Sequence, residues 1–413
     1  MTSASSQVAR LVERLRLAFF RSFFSLLLAA IATSEWVVCA RALARFGLAI
    51  PLLGHLAGAL AFFAGNRWLL RRLRTHAGGR FVSVYTAFAF TCVFGGAFVG
   101  VTELAWALAR GAVALPRLVG LPAFADLSPW QRGVDAGIDL GLFTVAALFL
   151  FGYTAGRRTL AVTALRVDVT GLPEEFAGIR IVHLSDLHIG RYLGLDELRR
   201  HVERVNAMEP DLVCITGDLV DRPETCAIAF PVLAGLRARH GVFVILGNHD
   251  VAAGAETVTA ALRACTAFQV LRNARADVRQ NGACLAVLGL DDLGRDWARG
   301  VLQHPALPPL AASVEKGVPS IVLSHRPDCF DQAVELGASL MLSGHTHGGQ
   351  LGLPALLRRG RVRNLAEFIT RYDRGVYYLG QATLVVSNGL GFTGQPVRLF
   401  TAREIGCIEL QPA

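Results

Sequence analysis

Lysine is almost missing from this chain. Lys316 is the only one, so the formal net charge of +9 over 413 residues is carried by arginine. A basic balance of this kind suits an anionic membrane surface or a phosphorylated substrate. No basic stripe interleaves with aromatic residues, which argues against a nucleic-acid partner. The eight cysteines show no close paired spacing and lie mostly within apolar runs such as Leu212 to Thr216. They do not describe a disulfide framework and suit buried, reduced thiols in a cytosolic domain. An internal repeat and a low-complexity tail are also lacking.

What the chain has in excess is apolar residues, 53% of the total, with a mean hydropathy of +0.44. The excess lies ahead of Thr159. Four membrane helices are expected there, at Ser22 to Ala40, Phe46 to Asn66, Phe81 to Thr102 and Leu140 to Gly156. The second and third contain no Asp, Glu, Lys or Arg and reach the roughly 20 residues that a crossing needs. The first contains Glu35, and the fourth is near the lower length limit. The first lacks a small-residue cleavage site and is followed by further spans, so it reads as an anchor and not a signal peptide. His55, Glu35 and Glu103 form no ion-path motif and are expected to pack between helices or at the interface. Gly111 to Trp130 reads as an external or interfacial loop.

Arginine placement sets an orientation. Arg10, Arg14, Arg16 and Arg21, the group Arg67, Arg71, Arg72, Arg74 and Arg80, and Arg157, Arg158 and Arg166 all fall on one side of these spans. The positive-inside rule then puts both termini in the cytoplasm of a bacterial inner-membrane protein. The expected domains are 1–158 in the membrane and 159–413 in the cytoplasm.

Beyond Thr159 the pattern changes to short apolar runs alternating with helical segments. Strands are expected at Ile179 to Leu184, Leu212 to Thr216, Val242 to Leu246, Cys284 to Leu290, Ser320 to Ser324, Ser339 to Leu342, Thr383 to Ser387 and Ile405 to Leu410. Helices are expected at Leu195 to Met208, Thr225 to Ala238 and Ala255 to Ala264. Such alternation predicts an α/β sandwich with a site along one sheet edge.

Polar clusters end five of the apolar runs. They are Ser185-Asp186-Leu187-His188, Gly217-Asp218 continuing to Asp221-Arg222, Gly247-Asn248-His249-Asp250, Ser324-His325-Arg326, and Gly344-His345-Thr346-His347. Each alone is explained by turn chemistry, since Asp, Asn and Gly start turns. Five in this order exceed that explanation. His345 and His347 are alternate residues on a glycine-rich turn, so both imidazoles can reach a common region, and imidazole is the commonest side-chain metal ligand.

This ordered set resembles the calcineurin-like metallophosphoesterase superfamily, and the form Gly-His-Thr-His-Gly-Gly-Gln at 344–350 resembles its membrane-associated bacterial branch. The resemblance covers Gly178 to the C-terminus and implies a four-layer α/β/β/α sandwich, here preceded by the bundle of four transmembrane helices. By its motif, Asp186, His188 and His347 would hold one divalent metal. Asn248, His325 and His345 would hold a second, and Asp218 would bridge the two. His249 would be the catalytic histidine, oriented by Asp221.

The chemistry of the residues agrees. A mixed oxygen and imidazole set suits Mn, Fe, Zn or Co. Two cations about 3.5–4 Å apart need a shared carboxylate, and water between them is acidified toward about 7, giving hydroxide for in-line attack on phosphorus. No Ser or Cys nucleophile is needed. A protonated His249 would serve the leaving oxygen, worth roughly 10²–10⁴-fold.

Other residues invite lesser roles. Arg222 is a candidate phosphate contact, although Pro223 beside it departs from the commoner pattern. Asp250 reads as a supporting or turn residue, and His183 as packed. Asp291 and Asp292 read as pocket supports or turns, and Arg191 as a substrate or surface residue. Leu353, Leu356 and Leu357 beside Arg358, Arg359, Arg361 and Arg363 fit an apolar and basic ridge against anionic lipid.

The expected function is hydrolysis of a phosphodiester or pyrophosphate bond in a lipid-linked or nucleotide-linked substrate at the bilayer. The alternatives are a soluble-nucleotide phosphodiesterase tethered to the membrane, or a non-catalytic sensor or scaffold that keeps the fold.

Overall fold

The computed structural model describes residues 2–75, 79–294, 302–358, 361–368 and 370–413. They fall into two compact units, Met1–Leu150 and Phe151–Ala413.

The first unit is helical, with α1 (Thr2–Arg45), α2 (Leu52–Thr75), α3 (Arg80–Ala114) and α4 (Gln131–Thr154). Among the described residues, three helical stretches are long and apolar enough to cross a membrane: Phe23–Arg45, Arg80–Val119 and Ser128–Arg158. The expectation of four such spans is corrected at α2. Pro51 immediately precedes the helix, where its fixed φ and missing N–H are tolerated. The apolar run Phe46 to Ile50 therefore stays outside, and α2 carries His55, Asn66 and Arg67 instead.

Polar side chains in this unit join helices. Arg41 on α1 donates to Asp139 (2.9 Å) and Asp135 (3.2 Å) on α4, and to Glu103 on α3 (3.5 Å). Glu35 is buried and accepts from Asn66 Nδ2 at 2.6 Å, while Tyr85 donates to Asn66 Oδ1 at 2.9 Å. Trp36 Nε1 donates to His55 Nδ1 at 3.2 Å. Glu35 and Glu103 thus join helices from partly or fully buried positions, while His55 is exposed and meets α1 through Trp36. The N-terminal arginines of the orientation argument lie outside the residues whose side chains are described.

The second unit begins with β1 (Leu160–Val169), β2 (Arg180–Leu184), α5 (Leu195–Asn206), β3 (Leu212–Thr216), α6 (Cys226–Leu233), β4 (Val242–Ile245), α7 (Asn248–Cys265) and β5 (Gln269–Val270). It continues through β6 (Ala274–Gln280), β7 (Ala283–Gly289), α8 (Leu307–Ala312), β8 (Ser320–Leu323), α9 (Phe330–Glu335) and β9 (Leu340–Ser343). It ends with β10 (Gly352–Arg358), β11 (Arg361–Asn364), β12 (Gly375–Leu379), β13 (Ala382–Val386) and β14 (Arg403–Pro412). One sheet has the order β1-β14-β2-β3-β4-β5 and the other β12-β13-β9-β8-β7-β6. Strands β2 to β5 run parallel, as do β7, β8, β9 and β13.

Period-two alternation explains why the sheets stack. Phe243 and Ile245 of β4 join Ile181, Leu212 and Cys214 against Leu285, Val287, Ile321, Leu323 and Leu342 of the other sheet. Val242 and Val244 point the other way, into α5, α6 and α7. On α5 the buried residues are Leu198, His201, Val202 and Val205, which is the three-and-four spacing of one helical face. Leu288, Val322 and Met341 face Phe330 and Ala333 of α9. The layers are helix, sheet, sheet and helix, as expected. Strands buried on both faces read as the near-continuous apolar runs seen in the sequence.

Candidate metal centre

The five polar turns leave the carboxyl ends of β2, β3, β4, β8 and β9. Asp186, His188, Asp218, His345 and His347 all have φ between 43° and 71°. A left-handed non-glycine residue costs about 1–3 kcal/mol and persists only where its surroundings hold it. Five on turns that follow strands of both sheets mark a strained turn cluster, a candidate functional site. Glycine makes the approach possible at two positions. A Cβ on Gly344 would lie 2.2 Å from Asp186 Oδ2, and one on Gly247 would lie 2.1 Å from Asp218 Oδ1.

The buried donors converge in groups. Asp186, His188 and His347 offer atoms within 4.8 Å of one another, and so do Asp186, Asp218 and His325. A third such group is His188, Asp221 and His249. His188 Nδ1 donates to Asp221 Oδ1 at 2.7 Å, which leaves its Nε2 facing His347 Nε2 at 3.1 Å. His347 Nε2 is also 3.3 Å from Asp186 Oδ1. His325 Nδ1 donates to the Thr216 carbonyl at 2.7 Å, which turns its Nε2 toward Asn248 Oδ1 at 3.1 Å. Asp218 Oδ2 lies between the two clusters, 3.5 Å from His188 Nε2 and 3.3 Å from His325 Nε2. His249 Nδ1 is 2.8 Å from the same Asp221 oxygen that His188 uses.

A divalent cation suits these residues. Two imidazole Nε2 atoms at 3.1 Å repel unless a proton or a cation lies between them. The electrostatics repeat the point. Burial pushes Asp186 up, and the Asp218 charge adds to that, against the pull of His325. Burial also acts upward on Asp218, but His325, then His188 and His249, hold it well below the usual carboxylate range. Burial opposes a charge on His325, yet Asp218 and Asp186 push it up to about 10. A charged imidazole supplies the positive charge that a cation would otherwise bring. Burial, with His188 and Arg398 nearby, holds His347 well below the ordinary value, so its ring stays neutral and available as a ligand. The Asp221 hydrogen bond raises His249.

His345 is placed differently from the rest. Its ring lies 5.1 Å from that of His325, but its Nε2 accepts from Arg326 Nη1 at 2.6 Å. Its backbone N–H donates to Asp186 Oδ2 at 3.0 Å. Arg222 is exposed, and its side chain has no partner among the described residues. His183 is packed, with Nε2 2.9 Å from Thr216 Oγ1. Asp291 accepts from Arg272 at 2.7 Å, and Asp292 accepts from Arg326 Nε at 2.7 Å. Arg191 lies over the Tyr192 ring. The ridge residues Leu353, Leu356, Leu357, Arg358, Arg359 and Arg361 lie outside those whose side chains are described; Arg363 pairs with Glu367 at 2.7 Å.

Two residues given no role by sequence reasoning belong to the site's surroundings. Arg326 touches both His345 and Asp292, and Arg398 donates to the His347 carbonyl at 2.8 Å. An arginine flanked by Val397 and Leu399 in an apolar stretch was the available signal for Arg398.

Residues 179–349 match the model of the calcineurin-like phosphoesterase family. The chain is 28% identical over 284 residues to "Uncharacterized metallophosphoesterase YkuE" of Bacillus subtilis, covering 68% of this chain and 96% of that protein. It is 32% identical over 277 residues to "Uncharacterized metallophosphoesterase Cj0846" of Campylobacter jejuni, covering 66% of this chain and 69% of the relative. It is 33% identical over 290 residues to "Transmembrane protein with metallophosphoesterase domain" of Danio rerio, with 66% of this chain and 62% of that protein covered.

Asp250, at the start of α7, does not reach toward the donors. Its buried carboxylate accepts from the backbone N–H groups of Gly247 (2.9 Å), Leu219 (3.0 Å) and Val220 (3.1 Å). It staples the Asp218 turn to the Asn248 turn. Leaving buried donors unsatisfied costs about 1–3 kcal/mol per group before relaxation, so Asp250→Ala is expected to lose about 3 kcal/mol of stability. Denaturation of the purified protein checks this, and wild-type stability in the variant would refute the staple.

Proposed function

The chain belongs to the calcineurin-like phosphoesterase family, and from that premise we propose that its second unit hydrolyses a phosphodiester or pyrophosphate bond with two divalent cations. The observation that carries this reading is the meeting of two donor groups on one buried carboxylate, Asp218. Asp186, His188 and His347 would hold one cation, Asn248, His325 and His345 the other, and Asp218 would serve both. His345 would need to release its Nε2 from Arg326 or offer Nδ1. Manganese, iron, zinc and cobalt suit the donor set.

Bound cations supply Lewis acidity toward the phosphoryl oxygens and the attacking water. The chain's own residues do the rest. Asp221 accepts from Nδ1 of His188, which fixes the tautomer with its Nε2 lone pair inward. The same oxygen accepts from Nδ1 of His249, so the proton to be given away sits on Nε2. His249 is only partly buried, with 39% of its side chain exposed, which lets a substrate reach it. Protonated there, it can donate to the leaving oxygen.

The family and the three membrane-length helices make this a membrane-associated metal-dependent phosphoester hydrolase. We place it in a bacterial inner membrane with both termini and the catalytic unit cytoplasmic, on the strength of the arginine distribution. A green fluorescent protein fused to the C-terminus tests the orientation. It should fluoresce, and a dark fusion that is nonetheless present in membranes would reverse the assignment. The substrate we favour is lipid-linked, because a tethered unit meets bilayer lipids at high local concentration. Hydrolysis of extracted membrane lipids should exceed that of free nucleotides; equal or better turnover of nucleotides would point instead to a tethered nucleotide phosphodiesterase.

Catalysis itself is tested by two substitutions. Asp218→Ala should lose both metal content and hydrolysis of an aryl phosphodiester; full activity would end the shared-carboxylate assignment. His249→Gln should keep its metal and lose roughly 10²–10⁴-fold in kcat. Asp221→Asn weakens the interaction that raises His249, so the acid stays protonated only to lower pH. The alkaline limb of the rate profile should therefore move down, and an unmoved limb would remove His249 as the acid.

A further inference from the structure

Arg398 is among the largest fully buried side chains of the described chain, 1% exposed. Among the described residues it forms no ion pair; its guanidinium is spent on backbone carbonyls. Nη1 donates to His347 O at 2.8 Å, and Nη2 donates to Gly391 O at 2.9 Å and Gly389 O at 3.3 Å. Its Nε has no partner among the described residues. The charge also lies 5.7 Å from the centre of the Phe392 ring. A buried guanidinium is costly to desolvate, so one held by neutral carbonyls calls for an explanation.

Its partners supply one. The loop after β13 carries Gly389, Leu390 and Gly391 against the Asp186 turn. Leu390 N–H donates to Ser185 O at 2.9 Å, and Gly391 N–H donates to Asp186 O at 2.7 Å. The fit is close enough that a Cβ on Gly391 would stand 2.1 Å from Leu187 O, and one on Gly389 would stand 2.9 Å from Asp186 Cβ. Arg403 Nε holds the same loop at Leu390 O, 2.5 Å away. The two donors that Arg398 joins, Asp186 through the loop and His347 directly, are strained left-handed residues on turns from different strands. Nothing in local sequence sets their separation.

We propose that Arg398 is a positioning residue of the metal centre, tying the His347 turn to the Gly389–Gly391 loop and so fixing the Asp186 and His347 donors at the separation one cation needs. This rests on the assignment of Asp186, His188 and His347 to a single cation. Among the described residues, Asn248 and His325 of the second donor group make no hydrogen bond or ion pair with Arg398, so its direct hold is on the first group alone. Supporting residues of this kind typically change metal affinity by about 10–100-fold.

The test is a titration of the metal-stripped, full-length protein in detergent with Mn²⁺, followed by calorimetry. Wild type, Arg398→Gln and Arg398→Lys are compared, with Asp186→Ala as control. Arg398→Gln should weaken one of two binding steps by about 10–100-fold and leave the other within about twofold, with kcat at saturating Mn²⁺ largely restored. Lysine keeps the charge but lacks the guanidinium fork, so Arg398→Lys should fall between the two. Unchanged affinity in both steps, or equal weakening of both, overturns the proposal. If Arg398→Gln does not fold, the lysine variant carries the comparison; loss of fold in both makes Arg398 a folding residue and also overturns it. Should Asp186→Ala bind Mn²⁺ as wild type does, the metal assignment itself has failed, a result distinct from any failure at Arg398.

Discussion

Two carboxylates, Asp186 and Asp218, sit close together with side-chain exposures of 0% and 2%. Burying one charge in a protein interior is expensive, and burying two of the same sign is worse unless positive charge lies between them. The rest of the second unit is arranged to make that juxtaposition tolerable. His325 reaches Asp218 from the opposite sheet, and the first turn of α7 donates the His249 N–H to Asp218 at 2.8 Å. A helix N-terminus favours an anion. The His345 N–H does the same for Asp186. These donors reduce the repulsion, and a cation held by the same side chains would reduce it further, which is why the cluster suits a metal.

The fold meets this demand through its layers. Parallel strands present their carboxyl ends on one side, so turns that are far apart in sequence open onto one place. The sandwich brings a second set of strand ends, from β8 and β9, to the first set, from β2, β3 and β4. Glycine at 247 and 344 lets backbones approach carboxylates at distances that any side chain would block. The left-handed residues cost stability, and the cores on both faces of each sheet offset it. The strained turns of the site are held from several directions.

Much of this was legible in the sequence because the informative signals are local. A buried parallel strand reads as an unbroken apolar run, and the polar turn that follows it is adjacent in the chain. Leu212 to Thr216 followed by Gly217-Asp218 shows both at once. What was not legible is mostly non-local or mixed in character. β1 carries Arg166 and Asp168 on a half-exposed strand, so it lacked an apolar run, and its partner β14 lies at the other end of the chain. β6, with Ala274, Arg275 and Asp277, hides for the same reason. In α2 the expected span failed at its boundary, because Pro51 decides where the helix begins and leaves Phe46 to Ile50 outside it. Among site residues, an aspartate or histidine after a strand announces itself. Arg326 and Arg398 do not, since an arginine has a default role on the surface.

The division between ligands and braces follows from chain order. The proposed ligands come from turns whose strands precede them directly, so each turn is placed by its own neighbourhood. Apart from Asp250 and Arg326, the braces come from the last stretch of chain, where the Gly389–Gly391 loop and Arg398 lead into β14, which starts at Arg403. β14 inserts between β1 and β2, parallel to one and antiparallel to the other. Only when that strand is in place can Arg398 reach the His347 carbonyl and Arg403 reach Leu390 and Glu197. Contacts of such long range carry a loop-closure cost that local contacts do not. The donors are therefore supplied by turns ahead of the Gly389–Gly391 loop, and their spacing is set by the stretch that follows.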